Sequence, residues 1–156
     1  MNEINSLAPI AIFVYNRPEH TKLTINSLLN NPEASRSHVY IFSDGAKGEF
    51  DEESVQEVRT YIASLEGFAG VKVFEQTKNI GLAQSIISGV THVLDSHEKV
   101  IVLEDDLLTS EYFLRYMNQA LDLYQNDPSV GCVTGYMYPI SKSRKGESIL
   151  LDFPSS

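Results

Sequence analysis

Short apolar runs alternate with stretches of helical spacing along most of this chain, and that alternation limits its fold more than any other feature. Pro9 to Tyr15 (PIAIFVY), His38 to Ser43 (HVYIFS), Val71 to Glu75 and Val100 to Leu103 read as strands, with Val130 to Thr134 as a fifth. The first run is apolar throughout, as strands covered on both faces of a parallel sheet are, and the fourth is next most apolar. Between them lie amphipathic helices. Pro18 opens one over Glu19 to Leu29, with Leu23, Leu28 and Leu29 inward and Asn30, Asn31 and Pro32 stopping it. Val55, Val58, Ile62 and Leu65 mark one face of a second, ended by Gly67 and Gly70, and Leu82, Ile86, Val90 and Val93 stripe a third. Ser110 can cap a fourth, with Phe113, Met117, Leu121 and Tyr124 inside and Asp127-Pro128 closing it. This order predicts an α/β fold, a mostly parallel sheet with helices on both faces. Beyond Tyr136 the pattern fades until a last apolar piece, Ile149 to Phe153.

Composition removes several function classes. The 156 residues suit a single domain, and 21 acidic against 12 basic residues give a formal charge of −9. Such a surface repels nucleic acid, and Lys142, Arg144 and Lys145 read as a solvated loop. No apolar run approaches the roughly 20 residues that span a bilayer. Met1 to Leu7 does not read as a signal peptide, so a cytoplasmic protein is the default, with the inner-membrane surface as a peripheral alternative. One cysteine, Cys132, excludes a disulfide framework or a cysteine-built zinc site and reads as an inert core thiol. His20, His38, His92 and His97 lack metal spacing and read as surface or local packing.

Parallel α/β sheets bind ligands beyond the carboxyl ends of their strands. Residues there are Asn16 and Arg17, then Asp44 and Gly45, then Lys78, Asn79 and Gly81, and finally Glu104, Asp105 and Asp106. Neither GxxxxGK[ST] nor GxGxxG occurs, so no glycine-rich loop cradles phosphate. A hard cation on carboxylates is the remaining way to hold a diphosphate, and Mg²⁺ and Mn²⁺ take oxygen ligands. Each group also has a purely structural reading. Arg17-Pro18 can be a helix start, Asp44-Gly45 a turn, Asn79 and Gly81 left-handed backbone, and the acidic triplet a solvated turn.

In combination these segments resemble GT-A nucleotide-sugar glycosyltransferases, especially bacterial family 2 members and the N-acetylglucosaminyltransferase I-like group. PIAIFVYNRPEHT is similar to their opening strand and turn, FSDGAK to the second strand end and NIGLAQSI to the loop and helix before the metal motif. VIVLEDDL resembles the EDD version of their Asp-x-Asp motif. The resemblance runs from about Pro9 to Tyr136 and implies a Rossmann-like three-layer α/β/α fold. It also implies a Mn²⁺ or Mg²⁺ cofactor, a nucleoside-diphosphate sugar donor such as a UDP-sugar, and a glycan or other hydroxyl acceptor. Carried over by position, Asn16 and Arg17 would lie near the nucleotide, Asp44 at the base or ribose, and Asn79 and Gly81 at the base and sugar pocket. Asp105 would contact ribose or donor sugar, Asp106 would ligate the metal, and Glu104 would support the site.

Members of that group ordinarily run longer and continue into a Trp-Gly-Trp segment, whereas this sequence contains no Trp. The resemblance therefore implies a donor-binding half, with the acceptor pocket and catalytic base beyond Ser156. A non-catalytic nucleotide-sugar-binding module and a metal-dependent nucleotidyltransferase are the rival readings. A receiver-like domain is a weaker one, because Asn16-Arg17 stand where paired acids would be needed.

Overall fold

The computed structural model describes residues 6–136. Four strands, β1 (Ile10–Val14), β2 (His38–Ser43), β3 (Gly70–Glu75) and β4 (Ile101–Glu104), form one all-parallel sheet in the order β3-β2-β1-β4. β1 is central and buried along its whole length. Opposite Ile10 stand Val39 on one side and Ile101 on the other, and opposite Phe13 stand Phe42 and Glu104. Their carboxyl ends therefore share one rim. After β1 the chain builds outward through β2 and β3, then returns to add β4 on the other flank. That reversal makes a topological switch point between β1 and β4.

The pleat divides the core. Ile10, Ile12, Val14, Val39, Ile41, Ile101 and Leu103 point to one face, packing on Ile25 and Leu28 of α1 (Pro18–Leu29), Val58 and Ile62 of α2 (Glu49–Ala63), and Leu114 and Met117 of α4 (Phe113–Tyr124). Ala11, Phe13, Tyr40 and Phe42 point to the other and meet Val93, with Ile86 and Val90, of α3 (Leu82–Leu94). Helices thus cover both faces, as the alternation predicts. Two buried asparagines fix α4: Asn31 Oδ1 accepts the Leu114 N–H at 2.9 Å, and Asn118 Oδ1 accepts the Ala8 N–H at 2.8 Å.

Several expectations need correction. Val130 to Thr134 is not a strand; it runs irregularly, and Gly131 and Gly135 within or beside it weaken any ladder it could join. Cys132 is consequently exposed and not a core thiol. Leu23 is 56% exposed, because Thr21, Thr24, Ile25 and Leu28 form the inner face of α1. Leu82 is 54% exposed, because the face of α3 against the sheet is Ser85, Gly89 and Val93. The second helix stops at Ala63, before Gly67, and Gly70 already belongs to β3. Tyr112, not Ser110, occupies the N-cap position of α4, although the Ser110 carbonyl accepts the Phe113 N–H. Lys142, Arg144, Lys145 and Ile149 to Phe153 lie outside the described residues.

Candidate functional site at the switch point

The turn after β1 meets the acidic triplet after β4. Pro18 stands at the first position of α1, where its missing N–H costs nothing, and Arg17 occupies the N-cap. From there Arg17 Nη1 donates to Asp106 Oδ2 at 3.1 Å, an ion pair with both side chains about half exposed. Arg17 is thus both the N-cap of α1 and the ion-pair partner of Asp106 at the rim. Asp105 turns inward instead. Its Oδ2 accepts the Tyr15 N–H at 3.3 Å, and its carbonyl accepts the Thr24 hydroxyl at 2.9 Å. At 8% exposure, burial pushes the Asp105 carboxyl above its ordinary range, opposed by the Tyr15 N–H and the Arg17 charge and reinforced by Asp106. Glu104 remains within β4, opposite Phe13 and half-buried.

A second carboxylate organises the neighbouring strand ends. Asp44 is 6% exposed, and its Oδ1 accepts the N–H groups of Gly45 at 2.8 Å and Ile80 at 2.9 Å. Its Oδ2 accepts that of Gly81 at 2.9 Å. Asp44 thereby ties the end of β2 to the loop entering α3. Asn79 reinforces the tie, donating its Nδ2 to the Gly45 carbonyl at 3.0 Å. Gly81 has φ +80°, which glycine adopts readily, whereas Asn79 is not left-handed. Gly45 is required by proximity: a Cβ there would stand 2.5 Å from the Lys78 carbonyl carbon. The structure therefore gathers Asn79, Gly81 and Asp44 in one cluster and Arg17, Asp105 and Asp106 in another.

Asn16 belongs to a third cluster that strand-end reasoning misses. Its Nδ2 donates to Asp51 Oδ1 at 2.8 Å, while the Tyr15 hydroxyl donates to Asp51 Oδ2 at 2.7 Å. Asp51 lies in the first turn of α2, where acids ordinarily complement the helix dipole, so the sequence carries no separate signal for it. Arg59, further along α2, is also missed. It donates to the Gln76 carbonyl at 2.7 Å and to Ser43 Oγ at 3.3 Å, and pairs with Glu75 at 3.4 Å, holding the β2 and β3 ends together.

The donor set suits a hard divalent cation only in part. Asp106 offers an outward carboxylate, on which the Arg17 guanidinium already stands as a cation, while Asp105 is turned inward on the Tyr15 N–H. Yet among the described residues no three His, Cys, Asp or Glu side chains converge as a metal cage. A single outward carboxylate fits a cation that completes its shell with phosphate oxygens and water, as Mg²⁺ commonly does.

Two solved structures share the architecture. The chain superposes on the crystal structure of S. aureus TarS 1-349 with a TM-score of 0.50 at 17% identity, covering 75% of this chain and 33% of that one. For the crystal structure of S. aureus TarS the TM-score is 0.52 at 17% identity, covering 75% of this chain and 20% of that one. At that identity the likeness concerns the fold. The chain spans about a third of the first and a fifth of the second. No helix among the described residues is long and apolar enough to cross a membrane. The sequence itself matches Glycosyl transferase family 2 over residues 10–154, nearly its whole length, and the chain belongs to that family.

Proposed function

We propose that this chain is the donor-binding part of a metal-dependent glycosyltransferase that moves a sugar from a nucleoside-diphosphate sugar, in particular a UDP-sugar, to an acceptor hydroxyl. The observation that carries this reading is the meeting of Arg17 with Asp106, beside Asp105, at the β1/β4 switch point. Asp106 is the outward carboxylate and would hold the cation together with diphosphate oxygens. That cation would neutralise charge on the departing nucleoside diphosphate. Arg17, released from Asp106 when the cation binds, would face the diphosphate and add a second positive group there. Asp105 is a strap in this scheme: it ties β4 to the β1 turn and sets where Asp106 stands. Asp44 has one lone-pair direction free beyond its three backbone partners, enough for a single base or ribose donor.

The test is calorimetric titration with UDP, with and without Mn²⁺. Wild-type chain should bind UDP more tightly with the metal, and Asp106→Ala should lose that metal-dependent increment. Equal Mn²⁺-dependent affinity in both proteins would reject Asp106 as ligand.

A further inference from the structure

One carboxylate on α2 sets the chemistry that the β1 turn can offer. Asp51 is bonded at both oxygens, to Asn16 Nδ2 and to the Tyr15 hydroxyl. The Tyr15 oxygen in turn accepts the Lys47 N–H at 3.1 Å, so its proton and a lone pair are both committed. The Tyr15 and Asn16 bonds hold the Asp51 carboxyl below its ordinary range. An ionised carboxylate only accepts, so Asn16 must turn its nitrogen toward Asp51 and its oxygen away. Asn16 Oδ1 has no hydrogen-bond partner among the described residues and is not a buried orphan, so solvent reaches it. The flanking residues Tyr15 and Arg17 contact Asp105 and Asp106, which puts this free acceptor beside the switch point. Asp44 also contributes only acceptor capacity to the same rim.

We infer that Asp51 is a positioning residue that locks Asn16 as a hydrogen-bond acceptor at the strand-end rim, favouring a nucleotide base whose edge presents an N–H over one that presents a lone pair. Uracil, with its N3–H, is the favoured kind; cytosine, with an unprotonated N3, is the disfavoured one. The inference rests on the nucleotide-sugar reading above and adds a base-selecting device to it. An Asp51→Asn side chain can present either its oxygen or its nitrogen, so Asn16 becomes free to flip and the selection relaxes.

The experiment measures UDP and CDP affinities in the presence of Mn²⁺ for wild-type chain, Asp51→Asn and Asn16→Ala, with the Asn16 side-chain amide followed by ¹⁵N NMR in the first two. In wild type UDP should bind more tightly than CDP. Both variants should lower the UDP/CDP affinity ratio by up to about tenfold, the scale of one hydrogen bond. The Asn16 amide resonances should shift in Asp51→Asn before nucleotide is added. Equal weakening of both nucleotides would make Asp51 merely structural, and an unchanged ratio in Asn16→Ala would overturn the proposal even if Asp51→Asn does not fold. Wild-type chain that binds UDP with no preference over CDP overturns this inference alone. Wild-type chain that binds neither overturns the donor-binding reading, and this inference with it.

Discussion

Asp44 and Asp105 are both buried carboxylates at strand ends, but they carry opposite energetic signs. Asp44 receives three backbone N–H bonds, so Asp44→Ala removes the charged acceptor that ties the β2 end to the loop before α3. A loss of at least about 1–3 kcal/mol in denaturant unfolding is expected, together with weaker UDP binding by the folded fraction. Unchanged stability would mean that the loop closes without Asp44. Asp105 is instead raised by burial, so the folded state holds its proton more tightly than the unfolded one. Its ionisation costs stability above the folded value, and that cost disappears as pH falls below the ordinary 3.8. Asp105→Asn should therefore stabilise the chain at about pH 7 and lose that advantage near about pH 4, read from urea midpoints. A constant difference across that range would contradict the burial argument. The strand-end rule made Arg17, Asp44, Asp105 and Asp106 visible in the sequence, because position alone brings them to the rim. It could not show that Asp105 faces inward, nor find Asp51 and Arg59, whose contacts depend on how α2 lies across the sheet.

At the scale of elements, α3 shows why apolar periodicity locates a helix more securely than its buried face. Of the stripe Leu82, Ile86, Val90 and Val93, the last three pack on the sheet and Leu82 does not, while the line in closest contact also includes the small residues Ser85 and Gly89. Small residues are needed there because the helix lies on a row of stacked rings, Phe13 on Phe42 at 5.1 Å and Phe42 on Phe74 at 5.0 Å. A Cβ at Gly89 would stand 2.6 Å from Phe13 Cε1 and 3.0 Å from Phe42 Cδ2. Gly89→Ala gains about 1 kcal/mol of helix propensity, but displacing rings in a packed row costs about 1–3 kcal/mol. The net effect should be destabilising, seen as a lower urea midpoint. A more stable variant would show that the ring row yields easily. The fifth strand failed for a related reason. A short apolar run specifies a strand only when it joins a ladder, and Val130 to Thr134 joins none among the described residues although β4 is an edge strand.

For the molecule as a whole, an all-parallel sheet brings into one rim residues far apart in sequence, and two faces of helices keep that rim fixed. The rim offers a cation few protein ligands: Asp106 outward and Asp105 turned in, with no third His, Cys, Asp or Glu side chain converging among the described residues. Metal and nucleotide should therefore bind as one unit, each completing what the other lacks. Anything that binds only the folded state raises its stability by mass action, about 2.7 kcal/mol at a hundredfold excess over Kd. For a chain of this size that corresponds to a rise in Tm of several degrees, on the order of 5 °C. Thermal unfolding with Mn²⁺ alone, UDP alone and the two together should show a rise with both that exceeds the sum of the separate shifts. Asp106→Ala should reduce that surplus without removing whatever shift UDP gives by itself. A full rise with Mn²⁺ alone would require a protein-built cage, which two adjacent carboxylates cannot make. Strictly additive shifts would place metal and nucleotide at separate sites, and the switch point would then have to be read without the diphosphate bridge.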